Sequence, residues 1–256
     1  MPSLLQNKKA LIVGIANEHS IAYGCAKALC ALGAEVAVTY QTEKGKAFVE
    51  PLLQNLNAPI FQQCDVTVDG SLEAVFETIK QKWGKLDIVI HAIAFAPKED
   101  LWGEVYQSSR EGFLKAMDVS CHSFIRMAQL AEPLMKDGGS LFTMSYYGAE
   151  KVIPNYSVMG PVKAALEASV RYMAAELGAK NIRVNAISPG PLKTRAASGI
   201  KMFEKLLVDA AEKAPIHQQV TIEQVGNMVA YLATDEIGGA VTGQTIFVDG
   251  GYNVMG

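Results

Sequence analysis

A chain of 256 residues that is half apolar is long enough for one α/β domain with a sizeable core. Its formal net charge of −3 argues against a nucleic-acid binder, because such proteins are usually basic. The four cysteines show no CxxC spacing and the four histidines show no metal-ligand pattern. We therefore expect free thiols in a reducing compartment and no metal site.

The N-terminal segment MPSLLQNKK is followed at once by a strand-like run, which leaves no room for the apolar centre of a cleaved signal. No stretch of about 18 consecutive apolar residues occurs, so no membrane span is expected. These features predict a cytoplasmic protein that contacts neither a membrane nor nucleic acid.

Short apolar runs alternate with longer amphipathic ones along the chain. Strands are predicted at 9–14, 35–40, 60–64, 86–91, 140–145, 182–187 and 245–248, and helices at 21–32, from about 43, at 70–83, 110–135 and 157–177. Alternation of Val- and Ile-rich strands with helices is typical of a parallel sheet that is covered on both faces. The chain is therefore predicted to form a single α/β domain over 1–256, with a doubly wound parallel sheet of about seven strands.

The segment after the sixth strand, SPGPLKTRAASGIKMF, contains two prolines and two glycines. Ligands of such folds bind beyond the carboxyl ends of the strands. Residues at about 190–210 are therefore predicted to form a substrate-binding lid.

The first strand ends in a turn with glycine at Gly14 and Gly24 and with Ser20 just before the helix. Ser20 is expected to cap that helix, whose free N–H groups would then face a pyrophosphate. The pattern differs from G-x-G-x-x-G, and a plain strand–helix turn is the alternative. After the second strand, Gln41 is suited to ribose hydroxyls, and after the third, Asp65 is suited to the adenine edge or to a simple turn.

Tyr156 and Lys163 are seven residues apart, which is about two helical turns. A helix that began near Tyr156 would place both side chains on one face, where the ammonium could stabilise a phenolate. A surface pair without function is the alternative reading of these two residues.

Further short segments resemble motifs of a known protein family. They are Gly14–Gly24 (G-x5-S-I-A-x-G), CDV at 64–66, HAIAFAP at 91–97, SYYGAE at 145–150, Tyr156-x6-Lys163, RVNAIS at 183–188, GP at 190–191 with Thr194, AASG at 196–199 and DGG at 249–251. Together they resemble the short-chain dehydrogenase/reductase superfamily, and more narrowly its bacterial enoyl-acyl carrier protein reductases. The resemblance spans nearly the whole chain and implies a Rossmann fold.

The spacing around Lys163 separates these enzymes from ordinary ketone reductases of the superfamily. Ketone reductases have a tyrosine four residues before the lysine and a serine thirteen before that tyrosine, and here those positions hold Met159 and Tyr146. The resemblance therefore implies an NADH-dependent reduction of the 2,3 double bond of a trans-2-enoyl thioester, the last reductive step of fatty-acid elongation. A carbonyl reductase and a non-enzymatic nucleotide sensor remain as alternatives.

The resemblance also implies roles for individual residues. Tyr156 would donate a hydrogen bond to the thioester oxygen, Lys163 would hold the nicotinamide ribose, and Tyr146 would complete the catalytic set. Contacts with NAD are implied for Gly14, Ser20, Ile21, Gln41, Asp65, Val66, Ile93, Lys163, Leu192, Lys193, Thr194, Arg195 and Ala196. Contacts with the substrate are implied for Ala96, Tyr146, Tyr156, Met159, Pro191, Ile200 and Phe203.

The implied partners are an acyl carrier protein and further copies of the chain in a homotetramer. We expect the acidic carrier to dock beside the lid at Arg195, Lys201 and Lys205, with the two lysines on one helical face. One departure from the family pattern is Ala94, where glycine is usual. Its methyl group would narrow the space for flat aromatic inhibitors.

Overall fold

Seven parallel strands form one sheet in this computed structural model, which describes residues 3–195 and 197–255. Their order is β3-β2-β1-β4-β5-β6-β7, and each neighbouring pair is parallel. The strands are β1 (Lys9–Val13), β2 (Glu35–Tyr40), β3 (Ile60–Gln63), β4 (Ile88–His91), β5 (Gly139–Met144), β6 (Ile182–Pro189) and β7 (Thr245–Val248). The strand order reverses between β1 and β4, so the ligand crevice of a doubly wound sheet is expected beyond their carboxyl ends.

Helices connect the strands and cover the sheet. They are α1 (Ile21–Ala31), α2 (Glu43–Val49), α3 (Ser71–Trp83), α4 (Lys98–Trp102), α5 (Arg110–Met117), α6 (Ser123–Ala131), α7 (Met159–Leu177), α8 (Phe203–Lys213), α9 (Ile222–Ala233) and α10 (Asp235–Gly238). The sequence prediction omitted α4, α9 and α10, and the helix that it expected to carry Lys201 and Lys205 begins only at Phe203. No helix in the described part of the chain is both long and apolar enough to cross a membrane.

Buried side chains divide into two clusters, as expected for a sheet covered on both faces. On β1, Leu11 and Val13 belong to one cluster, whereas Ala10 and Ile12 belong to the other. Successive side chains of a strand point to opposite faces, so each cluster lies on its own side of the sheet. The predicted single doubly wound α/β fold is confirmed.

The segment 110–135 is not one regular α-helix as predicted. Between α5 and α6, the segment Asp118–His122 is wound as a π-helix. There the Ser123 hydroxyl donates to the Val119 carbonyl, and the Ser120 hydroxyl bonds the backbone N–H and C=O of Phe95. A single wide turn barely disturbs the apolar period, so the sequence pattern does not reveal it.

Candidate active site

The turn between β1 and α1 brings β1 against the segment that follows β4. Gly14 has φ +120°, and a Cβ at this position would overlap the carbonyl of Ala92. Only glycine fits a backbone that combines this conformation with so close an approach. The two strands at the switch point therefore meet without side-chain bulk between them.

Ser20 does not cap α1 as expected. Its hydroxyl instead accepts hydrogen bonds from the backbone N–H groups of Ala16 (2.9 Å) and Asn17 (3.1 Å), which closes the loop before the helix. The first-turn amides of α1, which begins at Ile21, consequently have no side-chain cap. Amides without a side-chain cap at a helix N-terminus are free to bind a phosphate group. The turn therefore suits a pyrophosphate better than a helix capped by Ser20 would.

Gln41 and Asp65 are brought together at the carboxyl ends of β2 and β3. The Gln41 side-chain amide donates to the Asp65 carboxylate at 3.2 Å, and Thr67 donates to the same carboxylate through its N–H and its hydroxyl. Burial alone would raise the pKa of Asp65, but these hydrogen bonds outweigh it and lower the pKa. Asp65 is thus a charged acceptor beside Gln41, with the side chain of Val66 buried behind it.

Lys163 is a buried ammonium in the second turn of α7. It is 4% exposed, and its Nζ donates to the carbonyl of Met144, at the end of β5, at 2.6 Å. Burial lowers its pKa to about 8 from an ordinary 10.5, although electrostatic interactions with Cys121 and Glu167 act in the opposite direction. The last residue of β5 therefore positions this charge.

Tyr156 does not lie on α7, which begins three residues later at Met159. Asn155 and Ser157 on either side have positive φ values of 64° and 40°, so the chain turns sharply at the tyrosine. The prediction that helical spacing aligns Tyr156 with Lys163 is therefore wrong, because only Lys163 lies on the helix. A tight loop, rather than two turns of helix, places the phenol.

The Tyr156 ring is enclosed by the segment after β5. It meets the Tyr146 ring edge to face with centroids 4.9 Å apart, and a Cβ at Gly148 would lie 2.5 Å from the Tyr156 ring. Burial raises the pKa of Tyr156, and the neighbouring Tyr146 and Glu167 raise it further. This is the opposite of the stabilised phenolate that we expected, and the phenol stays protonated as a hydrogen-bond donor.

The Tyr146 hydroxyl is buried and has no hydrogen-bond partner among the described residues, and the same is true of the Ser188 hydroxyl at the end of β6. Burial also raises the pKa of Tyr146. A buried hydroxyl without a partner costs free energy, so such atoms are suited to a bound ligand. The site therefore fits a cofactor or substrate with polar groups at this depth.

Most of the predicted apolar contacts gather around the two tyrosines. Ile93, Ala96 and Ile200 pack against the buried cluster that contains Tyr146, Tyr156 and Met159, and Ala94 packs there as well. An apolar wall of this kind suits an acyl chain. Phe203 is half-buried at the start of α8.

Pro191, Leu192 and Lys193 line a separate cavity beyond the end of β6. This cavity of about 220 Å³ is lined by His19, Pro191, Leu192, Lys193, Leu207, Gln219, Val220 and Ile222. It joins the β1–α1 turn to the segment after β6, as a cofactor site requires, but it contains neither Tyr156 nor Lys163. Thr194 accepts a hydrogen bond from the Ala197 N–H, Arg195 is exposed, and Ala196 lies outside the described residues.

Several residues that shape the site were not predicted. The Ser145 hydroxyl donates to the buried carboxylate of Glu167, and His91 bonds Thr143 and Ser123 beneath the loop that carries Ile93. Spacing offered one signal, since Glu167 lies one turn after Lys163. Among the described residues, no cluster of three or more His, Cys, Asp or Glu side chains is arranged to hold a metal ion.

Comparisons with known proteins agree with this geometry. The family model for enoyl-(acyl carrier protein) reductase matches residues 14–253. The enoyl-(acyl-carrier-protein) reductase (NADH) 1 of Rhizobium meliloti strain 1021 is 50% identical over 253 residues, covering 99% of this chain and 93% of that protein.

Solved structures show the same fold. The reductase of Anaplasma phagocytophilum in complex with NAD is 47% identical, covers 100% of this chain and 97% of that one, and has a TM-score of 0.95. The Bacillus cereus reductase, solved with NADP+ and an indole naphthyridinone, is 44% identical, covers 99% of each chain and also has a TM-score of 0.95. The chain therefore belongs to the enoyl-(acyl carrier protein) reductase family.

Proposed function

We propose that the protein is an NADH-dependent enoyl-acyl carrier protein reductase, which reduces the 2,3 double bond of trans-2-enoyl thioesters in fatty-acid synthesis. The observation that carries this proposal is the buried pair of phenols, Tyr146 and Tyr156, whose rings meet edge to face just after the strand end that holds Lys163. Met159 occupies the position at which a ketone reductase of this fold has its proton donor, so the site is built to stabilise an enolate rather than to protonate an alkoxide.

Bound NADH would supply a hydride for C3 of the substrate, and a proton would then add at C2 of the enolate to complete the reduction. As negative charge develops on the thioester oxygen, the Tyr156 phenol donates a hydrogen bond to it, which its raised pKa permits because the phenol remains protonated. Lys163, held on the Met144 carbonyl, keeps a positive charge in the site and would bind ribose hydroxyls. The apolar wall around Met159 and Ile200 excludes water and holds the acyl chain.

The test is NADH oxidation with a crotonyl thioester against a ketoacyl thioester. We expect turnover with the first substrate alone, and a loss of about 100-fold in Tyr156→Phe with NADH affinity retained, as for removal of one oxyanion donor. Tyr231→Phe, a change at an exposed tyrosine of α9, is the matched control. Equal or greater activity on the ketoacyl substrate would identify a carbonyl reductase instead, and cofactor binding without turnover would identify a nucleotide sensor.

The proposed protein partner is the acyl carrier protein, docked beside a lid formed by 190–210. The exposed cations Arg195, Lys201 and Lys205 support this position. The two lysines do not share a helical face as expected, because α8 begins at Phe203 and Met202 has φ +59°. Lys193 is less suited to this role, since it forms an ion pair with Glu204 at 2.9 Å.

We also propose a homotetramer in the cytoplasm. Exposed apolar side chains on α6 and α7, Ile125 and Tyr172, support burial against further copies of the chain. Free thiols at Cys25, Cys30, Cys64 and Cys121 support a reducing compartment. Sedimentation at several protein concentrations tests the assembly, and a monomer at all of them would contradict it.

A further inference from the structure

Trp102 joins two parts of the chain that lie 97 residues apart. It is the last residue of α4, and its indole Nε1 donates a 2.7 Å hydrogen bond to the carbonyl of Gly199. Gly199 ends the short 3-10 turn Ala197–Gly199, here called the Gly199 turn, within the proposed lid. The side chain of Trp102 is 49% exposed, so burial alone does not explain its position.

Two further features accompany this hydrogen bond. A Cβ added at Gly199 would lie 3.7 Å from a methyl group of Leu101, so the turn runs close to the residue before the tryptophan. The ammonium of Lys98 lies 4.1 Å from the centroid of the Trp102 ring, a cation–π contact that restrains the indole. The Gly199 turn thus lies beside α4 and is joined to it by a hydrogen bond.

The same helix and the residue after it also hold the loop of Tyr156. The Ser157 hydroxyl lies 3.1 Å from the carbonyl of Asp100 and 2.7 Å from that of Gly103, and it donates to them. Ser157 directly follows Tyr156 and has φ +40°, a conformation that needs such support in a residue other than glycine. The buried carboxylate of Asp100 in turn accepts hydrogen bonds from Ser109, which anchors α4 to the start of α5.

We infer that Trp102 is a positioning residue that latches the Gly199 turn onto α4, so that closure of the lid and placement of Tyr156 depend on the same short helix. This inference rests on the proposed function for its kinetic consequence, but the latch itself does not. Loss of one neutral hydrogen bond shifts an equilibrium about fivefold, so Trp102→Phe should open the lid about fivefold more often. Phenylalanine keeps an aromatic ring for Lys98 and removes the donor together with the rest of the indole.

Limited trypsin digestion measures opening directly. Cleavage after Lys193 and Lys201, both exposed and on either side of the turn, should be about fivefold faster in Trp102→Phe, because cleavage follows the population of the open form. The KM for the crotonyl thioester should rise about two- to fivefold, while kcat changes less. Tyr106→Phe is the matched control, since Tyr106 is an exposed aromatic residue next to α4 whose hydroxyl accepts a hydrogen bond from the neighbouring Gln107.

A second readout uses the protein's two tryptophans. In a Trp83→Phe background, Trp102 is the sole indole, and its quenching by acrylamide should decrease when crotonyl thioester is present with the oxidised cofactor NAD+, which cannot reduce it. Unchanged cleavage, KM and quenching would overturn the latch, and so would equal effects in Tyr106→Phe. Faster cleavage throughout the chain, mapped by mass spectrometry, would indicate unfolding and also reject it. Faster lid cleavage in an enzyme without enoyl reductase activity would keep the latch and reject the proposed function.

Discussion

The hydroxyl of Ser145 donates a 2.5 Å hydrogen bond to the carboxylate of Glu167, which links the end of β5 to α7. Glu167 is 6% exposed, and burial raises its pKa, although the bond from Ser145 acts to lower it. One helical turn earlier, Lys163 is held by Met144 of the same strand end, and the charge of Glu167 opposes the effect of burial on the Lys163 pKa. A carboxyl that does not contact the substrate therefore helps to keep the lysine charged.

Glu167→Gln should lower the pKa of Lys163 below about 8, because glutamine keeps the shape and removes the negative charge. The ammonium is present below that pKa and lost above it, so NADH affinity should fall as pH rises through about 8 in the parent protein. In the variant the fall should occur at lower pH. Calorimetric titration with NADH across this range measures it, with Glu176→Gln, an exposed residue of α7, as the control. A midpoint that stays in place or moves upward would contradict the role of Glu167.

Tyr146→Phe should raise the thermal stability of the ligand-free protein and lower its turnover. The Tyr146 hydroxyl is buried without a partner among the described residues, so its removal relieves a cost on the order of 1 kcal/mol. The same hydroxyl is suited to bind a ligand, so its removal should weaken that interaction. Melting curves with and without NADH and substrate separate the two effects. A lower melting temperature of the ligand-free variant would show that the hydroxyl has a partner in solution.

NADH should be preferred over NADPH. At the end of β2, Gln41 is hydrogen-bonded to the carboxylate of Asp65, whereas a 2′-phosphate bound there would need a cation. Lys46 lies over the ring of Tyr40, with its Nζ 5.6 Å from the ring centroid. Asp65→Asn should therefore raise the ratio of kcat/KM for NADPH to that for NADH, by about fivefold for a partly exposed charge. Asp69→Asn is the control in the same loop. An unchanged ratio would indicate that Lys44 or Lys46 reaches the phosphate.

Reversal of Lys201 and Lys205 to glutamate should raise the KM for a carrier-bound enoyl substrate. Exposed charges are screened by salt, so the difference from the parent protein should shrink at high ionic strength. A coenzyme A thioester lacks the acidic partner and should be affected much less. Lys213→Glu, at the far end of α8, is the control. If both substrates are affected equally, the lysines act on the lid and not on the carrier.

His91 should make the fold sensitive to acid. Its Nδ1 lies 2.7 Å from the Thr143 hydroxyl and its Nε2 lies 2.8 Å from that of Ser123. Since the Ser123 hydroxyl donates to the Val119 carbonyl, it accepts from Nε2–H, and the ring is the neutral Nε2–H tautomer. Burial lowers the pKa of His91 to about 3 from 6.5, and the charge of Lys163 adds to this effect.

The unfolded chain therefore takes up a proton on this histidine near pH 6.5, whereas the folded chain does not until about pH 3. The free energy of unfolding should fall by about 1.4 kcal/mol for each pH unit within that window because of this group. Urea titrations at successive pH values should show a flatter dependence in His91→Gln, but not in the control at the exposed His122, His122→Gln. Equal slopes in the parent protein and His91→Gln would mean that His91 is protonated in the folded state.

The sequence by itself determined the succession of strands, the doubly wound fold and the family. Buried parallel strands appear as short apolar runs, and their period is readable without knowledge of neighbours. It also marked Gln41 and Asp65 as residues at strand ends, but the hydrogen bond between them was seen only in the structure. Motifs that are contiguous along the chain, such as the turn at Gly14, were therefore predictable.

Only the tertiary structure decided how the site is held. The π turn at Asp118–His122, the loop that carries Tyr156, the Ser145–Glu167 bond and the contact between Trp102 and Gly199 leave no periodic signal. Each depends on which of many chemically equivalent serines, carboxylates or carbonyls comes within about 3 Å of a given side chain, and packing of distant segments makes that choice. Local periodicity reports which face of an element is buried, but it does not report the partner that the face meets.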